Sequence, residues 1–391
     1  MHLLTNYSFQ SGQKIGKMHT YEKFYPGLPD KFICVQPWSK GSKNYNWWDD
    51  VLDLIYPYLQ KNNIALVQCG AKDEKPLKYC RQTQGTTSFG QLEYIVSKSC
   101  LVLSTDTVSA HIGGHYDIPI VTLVSNNYKS CVQAFFGDKS KQIILEPDRT
   151  NLKPMFTLDE LEPKQINLIP PESIADAFLK LLNIDFDYKF RTISIGRFFN
   201  NKTLESCMDT VVDIKQLNAQ SIVARCDINF NLVALQNQLK LCPCQIVTNQ
   251  PIPYQILEGY VKNITGVVYK IDEQHDPEFV KLLIKYKIQY QLISELPVNK
   301  LNMIKLEYMD FNIIHHIKSE IPEKLKNKDL NSVWYKTSKV LLGAGKFYAS
   351  EQDYINGVNF NPMENEPIKI NKKNIEILWR NSDFVHFLEK A

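Results

Sequence analysis

Short apolar runs bounded by polar turns alternate with stretches of helical periodicity along most of this chain. Lys31-Phe32-Ile33-Cys34-Val35-Gln36 reads as a strand closed by Pro37, and the polar, basic loop Pro37 to Asn46 follows it. A helix is predicted from about Trp47 to Lys61, with Trp47, Val51, Leu54, Ile55, Tyr58 and Leu59 as its core stripe. Ile64 to Cys69 is the next strand and ends at Gly70. The segment Gly85-Thr86-Thr87-Ser88-Phe89-Gly90-Gln91-Leu92 reads as a turn with a Ser or Thr cap, opening a helix that carries Leu92, Ile95 and Val96. Leu101-Val102-Leu103-Ser104-Thr105 is a branched apolar strand. Asp106-Thr107 supplies an N-cap for a short helix, Asp117-Ile118-Pro119 turns the chain, and Ile120 to Val124 is a further strand. Such a β-α-β unit belongs to a parallel sheet.

The second half continues in the same manner. Strands are expected at Ser221 to Arg225, Cys244 to Thr248, Gly266 to Lys270 and Tyr290 to Ile293, with helices at Asn231 to Leu241 and Pro277 to Lys287. Between the halves, Glu146 to Pro171 is proline-rich (Pro147, Pro154, Pro163, Pro170, Pro171) before a short helix near Ile174 to Leu182. The expected organisation is α/β throughout: a first domain over 1–185, a second over 186–318, and a C-terminal segment over 319–391. That segment has no assigned fold and is expected to end on an amphipathic helix.

In doubly wound sheets, ligands bind beyond the carboxyl ends of the strands. By that rule three loops should meet: the loop holding Ser39, Lys40 and Lys43, the Gly70 loop, and the Asp106 elbow. Two lysines, the amides that open the helix at Val108, and the hydroxyls of Thr107 and Ser109 would then face one anionic ligand, with Asp106 beside it as an acid.

Composition narrows the partners little. The chain has 391 residues, 44% hydrophobic and 22% charged, with 45 basic against 42 acidic side chains for a formal charge of +3. That balance does not by itself argue for nucleic acid or an anionic membrane. No apolar run has membrane-spanning length and the start lacks a signal-peptide pattern, so a cytoplasmic protein is expected. The nine scattered cysteines read as reduced thiols, and Cys242-Pro243-Cys244 has no partner pair at zinc spacing. His111 and His115 are four apart on one helical face without an evident third ligand, so His111 is expected to pack behind the elbow and no metal is expected. His315-His316 fall on different faces. The basic segments Lys324 to Lys328 and Lys372-Lys373 read as solvated faces that, with the tail's aromatics, could also contact nucleic acid.

The order of these motifs from residue 31 to 126 resembles the donor-binding half of the heptosyltransferase-like glycosyltransferases, the family 9 type. The strand, the basic loop with Lys43 shortly before Trp47-Trp48, Gly70, Gly85 to Leu92, and Asp106-Thr107 through His111 to Pro119 carry the likeness. It implies a GT-B-like architecture of two Rossmann-like domains and a nucleotide-diphosphate sugar as substrate, with no cofactor. The diphosphate and sugar would be held by Asp106, Thr107, the Val108 amide, Ser109 and Lys43. This chain has Val108 where the family has glycine, and Gly113-Gly114 where it has small alanines. The family's acceptor half precedes its donor half, whereas here a second α/β layer follows, so the resemblance implies a permuted order of the two halves.

Pressed further, the resemblance implies a catalytic aspartate after the first strand of the acceptor half, and Asp227 occupies such a position. The implied reaction is inverting, metal-independent glycosyl transfer to a glycan or lipid-linked saccharide, with Asp227 as base. Two alternatives stand beside it. One is transfer to a hydroxylated base in DNA, which would need extrusion of that base. The other is a non-catalytic nucleotide-sugar or partner-binding protein of the same fold. The oligomeric state is not legible in the residues.

Overall fold

Branched apolar runs that cannot be satisfied at a surface become the inner strands of two separate units, Met1–Lys189 and Phe190–Ala391. The computed structural model describes residues 1–149, 152–159, 164–317, 320–364, 366–370 and 375–391. Pro163, Ser319 and the Lys372-Lys373 pair lie outside the described residues. No described helix is long and apolar enough to cross a membrane.

In the first unit, helix α1 (Leu3–Ser11) buries none of its residues and precedes a six-stranded parallel sheet. Its strands are β1 (Phe32–Gln36), β2 (Ala65–Gln68), β3 (Cys80–Gln82), β4 (Leu101–Thr105), β5 (Ile120–Leu123) and β6 (Gln142–Leu145), in the order β3-β2-β1-β4-β5-β6. The chain therefore builds outward from β1 in one direction and then, from β4, in the other. Helices α2 (Trp48–Lys61), α3 (Phe89–Lys98), α4 (Val108–His115), α5 (Lys129–Val132) and α6 (Pro171–Leu181) connect and flank the strands. Ile95 and Val96 of α3 and Ala110 and Ile112 of α4 pack with Phe32, Cys34, Val67, Val102 and Ile120. The alternate strand residues Ile33, Val35, Leu101, Leu103 and Val121 are buried too, so both faces of the sheet are covered.

Local details follow the sequence closely. Ser88 accepts from the Gln91 amide and Gln91 reciprocates, a capping box that starts α3. Trp47 is the residue before α2 rather than inside it, and the buried stripe is Trp48, Val51, Leu52, Ile55 and Leu59, so Trp48 and Leu52 complete the core face in place of Leu54 and Tyr58.

The second unit winds differently. It adds β7 (Phe190–Ile195), β8 (Thr203–Ser206), β9 (Ser221–Arg225), β10 (Cys244–Thr248), β11 (Ile264–Lys270), β12 (Tyr290–Ser294), β13 (Ile314–His316), β14 (Val333–Thr337), β15 (Lys339–Gly343), β16 (Lys346–Tyr348), β17 (Ile368–Lys369) and β18 (Val385–Lys390). Its helices are α7 (Leu232–Leu241), α8 (Tyr254–Tyr260), α9 (Pro277–Lys285), α10 (Val298–Glu307), α11 (Glu351–Ile355) and α12 (Ile375–Arg380). An eight-stranded sheet runs β13-β12-β11-β10-β9-β8-β15-β16, with β8 to β13 laid side by side in chain order and parallel. A four-stranded antiparallel sheet, β17-β14-β18-β7, stands beside it. Because β8 to β13 never reverse, right-handed crossovers place every connecting helix on one face. Leu235, Leu239, Ile256, Leu257, Phe279, Val280, Leu283 and Leu301 of α7 to α10 share a single core with Leu204, Ile222, Ala224, Ile246, Val267 and Leu292 of the strands.

The C-terminal residues, which show no independent pattern in the sequence, supply strands to both of these sheets. The amphipathic helix expected at the very end is corrected: α12 is followed by strand β18, whose Val385 and Phe387 are buried against Val333, Tyr335, Leu378 and Trp379.

The Gly113-Gly114 departure has a packing cause. A Cβ added at Gly114 would lie 2.8 Å from the Ala134 Cβ and 2.8 Å from the Phe136 carbonyl oxygen, and one at Gly113 would lie 3.0 Å from a Val102 methyl. We expect Gly114→Ala to cost about 1–3 kcal/mol through overpacking against backbone, seen as a lower urea midpoint; an unchanged midpoint would show that the 134–137 turn yields.

Candidate functional site

The first unit's sheet reverses its winding between β1 and β4, and the residues beyond the carboxyl ends of those strands converge there. Lys43 ends a short helical turn, Gly41–Lys43, in the loop after β1, and its Nζ lies 2.6 Å from Asp106 Oδ2 at the end of β4. The two side chains are 19% and 10% exposed, so the pair is shielded from bulk water. The loop that carries Lys43 is tied down on several sides. Ser39 N–H donates to Asn44 Oδ1 (2.7 Å), Ser42 N–H donates to the Leu158 carbonyl (3.2 Å), and Ser42 Oγ donates to the Thr157 carbonyl (2.6 Å). Ser125, beyond β5, donates its hydroxyl to the Ser42 carbonyl (3.2 Å).

Thr107 takes the N-cap position of α4 in an extended conformation, as expected, but its hydroxyl does not cap the helix. Gln36, the polar residue that closes β1, reaches across instead, and the Ser109 N–H donates to its Oε1 (3.2 Å). Gln36 was not singled out from the sequence; a polar side chain ending an otherwise apolar strand at a switch point is the signal that marks it. The hydroxyls of Thr105 and Thr107 are buried with no hydrogen-bond partner among the described residues. Ser109 is fully buried and its hydroxyl interacts with the Cys34 thiol, and Val108 packs against the apolar cluster of α3 and α4. One turn further on, burial pushes the His111 imidazole below its ordinary pKa, with Asp106 opposing that shift. Among the described residues no group of three or more His, Cys, Asp or Glu is placed to hold a metal.

Thus Lys43, Asp106, Thr107, Val108 and Ser109 come together, and Gln36 joins them. Lys40 is exposed and precedes the turn rather than entering it. Gly70 belongs to a different cluster. It sits at φ +153°, the Glu74 carboxylate packs over its Cα, and its carbonyl accepts from Gly85 N–H (2.9 Å), so its described contacts run to residues 71–85 rather than to the elbow.

Asp227 follows β9 and precedes α7, where the sequence places it, but it is not a free carboxylate. Arg225 donates to both of its oxygens (Nε to Oδ1, 2.8 Å; Nη2 to Oδ2, 2.9 Å), and Lys270 Nζ adds a third bond at 3.1 Å. The side chain is 2% exposed. Burial alone would raise its pKa, yet the hydrogen bonds and charge of Arg225, with Lys270, outweigh that and hold it below the usual carboxylate range. A general base works best with a pKa near the operating pH. In this structure Asp227 holds Arg225, and the base role that the resemblance implies for it would require release from Arg225 and Lys270.

The same guanidinium donates to Glu205 (2.7 Å) and Glu351 (2.8 Å). Lys339 lies 3.3 Å from Glu205, and Glu295 is paired with Arg380 at 2.7 Å and with Lys270 at 3.7 Å. Burial raises the Glu205 carboxyl, but Lys339 and Arg225 overcome it and bring its pKa down to about 2. A carboxylate with a depressed folded pKa contributes stability that is complete above its unfolded value, about 4.3, and is lost as the pH falls toward about 2. We expect Glu205→Gln to cost about 3 kcal/mol at neutral pH. The variant should also lose stability less steeply than the parent as the pH falls from about 4.3 toward 2, measured by urea unfolding at stepped pH. Parallel curves would remove Glu205 from the acid response.

No family model and no curated protein matches this chain. Among solved structures it is similar to the Escherichia coli ADP-heptose lipopolysaccharide heptosyltransferase II, at 12% identity over 46% of this chain and 50% of that one, with a TM-score of 0.32. It is similar to a family 9 glycosyl transferase from Veillonella parvula at 17% identity, covering 39% of this chain and 46% of that one, TM-score 0.32. The iron-containing dodecameric glycosyltransferase TibC from enterotoxigenic Escherichia coli matches at 9% identity over 43% and 50%, TM-score 0.34. The alignments span half or less of each of these structures, and the enzymes they describe are of the kind that the motifs of residues 31 to 126 resemble.

Proposed function

We propose that this chain is a glycosyltransferase that takes its sugar from a nucleotide-diphosphate donor held at the switch point of the first unit. The observation that carries the reading is the shielded Lys43–Asp106 pair set against the start of α4. A diphosphate arriving there is a better partner for Lys43 than a single carboxylate, because it brings more negative charge and several acceptor oxygens. The first-turn amides of α4 other than that of Ser109, which Gln36 holds, and the Thr107 hydroxyl, which has no partner among the described residues, supply further donors. As Lys43 turns to the phosphate, Asp106 becomes available to accept hydrogen bonds from the sugar.

These groups would bind the donor and would stabilise the charge that grows on the diphosphate as the glycosidic bond breaks. A single displacement by an acceptor hydroxyl inverts the sugar carbon, and the hydroxyl proton passes to a base. The proposed acceptor is a glycan or lipid-linked saccharide. A second reading, a nucleotide-sugar-binding protein without turnover, is favoured by one observation: Asp227 is saturated by Arg225 and Lys270 and so is not poised to take that proton.

Incubation with a panel of nucleotide sugars and neutral glycan acceptors, followed by release of nucleoside diphosphate, separates the two readings. Release with sugar incorporation supports transfer; binding without release supports the non-catalytic protein. Lys43→Ala should weaken nucleoside-diphosphate binding by roughly 10- to 100-fold in calorimetry, the loss of one charge-assisted bond or two. Undiminished affinity would place the donor elsewhere.

A further inference from the structure

Parallel sheets are normally covered by helices on both faces. The eight-stranded sheet of the second unit keeps helices α7 to α10 on one face, and its other face borders a cavity of about 610 Å³ that is closed in part by α11, α12 and the residues just after α12. Strand alternation sorts the residues cleanly: Ile222 and Ala224 enter the helix-side core, whereas Ser221, Val223 and Arg225 line the cavity.

On the cavity floor an aliphatic strip, Val223, Val247, Val268 and Ile293, runs obliquely across the strands: Val247 is opposite Val268, whereas Val223 is opposite Gln245 and Val268 is opposite Gln291, so polar side chains flank the strip in register. Toward the amino ends of the strands lie the amides Gln220, Gln245 and Gln291. Charged side chains border the strip on several sides: Arg225 and Lys270 end their strands and Glu295 follows β12, Lys339 opens β15, Glu205 stands beside Val223, and Glu351 and Arg380 come from α11 and α12. Four cations, Arg225, Lys270, Lys339 and Arg380, and four carboxylates, Glu205, Asp227, Glu295 and Glu351, line the space, and each is within an ion pair with another of the set.

That arrangement disfavours an ionic ligand. Among the described residues the lining has no surplus of either sign, and a phosphate would meet Arg225 already held by three carboxylates rather than a lysine with a single partner. A flat base finds little to stack on, since Phe384 is the one aromatic ring among the described lining residues and Lys339 already stands over it at 4.6 Å. What the surface offers is hydrogen bonding from amides and carboxylates that flank an oblique apolar strip. A pyranose has the matching form, with a C–H face between edges of hydroxyls. Volume agrees, since pockets of about 300–1,000 Å³ hold ligands of such size.

We propose that the face of this sheet opposite α7 to α10 is a binding site for a neutral saccharide of one to a few rings. The inference rests on the second unit alone and does not depend on the donor reading of the first.

The test uses the full chain. Saturation-transfer NMR is recorded with maltose, cellobiose, lactose and N,N′-diacetylchitobiose at millimolar concentration, with a glucuronate-containing disaccharide as the anionic comparison. We expect transfer to at least one neutral disaccharide, weakened about tenfold or more by Val247→Trp, which fills the strip, and reduced by Gln291→Ala at an exposed position. Lys43→Ala should leave it unchanged. If Val247→Trp melts early, Gln291→Ala decides. Absence of transfer to every neutral disaccharide, preference for the anionic one, or binding untouched by both variants overturns the proposal. Nucleoside-diphosphate binding is measured on the same samples, so loss of one activity with survival of the other shows which reading has failed.

Discussion

The handedness of the β-α-β crossover governs both units. A right-twisted strand followed by a right-handed helix returns to a parallel neighbour almost always in one sense. Where the strand order reverses, as between β1 and β4, helices fall on both faces and the carboxyl ends of two adjacent strands open outward. Where it runs on without reversal, as from β8 to β13, the connecting helices crowd one face and leave the other to be closed only in part by α11, α12 and the residues just after α12. One rule of local chirality thus produces a crevice in the first unit and an open polar floor in the second.

Each consequence has to be stabilised by its own residues. In the crevice, backbone groups at the start of α4 would be left without partners, and Gln36 from β1 takes one of them. The lysine that the loop delivers is neutralised by Asp106 at a distance typical of a strong charge-assisted bond. On the open floor, Arg225 stands on a strand whose alternate residues Ile222 and Ala224 serve a core, and a nearly buried guanidinium is tolerated because three carboxylates surround it. Such a network adds little net stability over an apolar equivalent, since desolvation offsets much of the Coulomb gain. Removing one member is costly, because the remainder are left short of a partner in a low dielectric.

Close backbone approach sets the remaining geometry of the first unit. Gly113 and Gly114 let α4 settle on β4, β5 and the turn near Phe136 with no room for a methyl group. The start of that helix, with Thr107 and Ser109, is thereby held at a set depth behind Lys43. Val108 uses its branched side chain to bind the helix to the core. The two positions where this chain departs from the glycosyltransferase motif are thus both packing positions.

The inner strands and most helices were legible from the residues alone because burial on both faces demands continuous branched runs, as at Leu101 to Thr105, and because caps such as Ser88 with Gln91 are local. The elbow at Asp106-Thr107 was legible for the same reason, since a strand, a cap and a helix start are neighbours in the chain; Lys43, sixty-three positions away, was reached only through the rule that ligands gather beyond the carboxyl ends of the strands. Strand β8 and the C-terminal strands were not, since Thr203 and Glu205 alternate with Leu204 toward a polar cavity and resemble a loop until that cavity is known. Nor could spacing show that Asp227 is held by Lys270, forty-three positions away, or that Gln36 reaches Ser109. Periodicity and capping depend on neighbours within a few residues, and they decide which segments form. Pairing of charges and the uncovering of a sheet face depend on strand order, which only the folded chain decides.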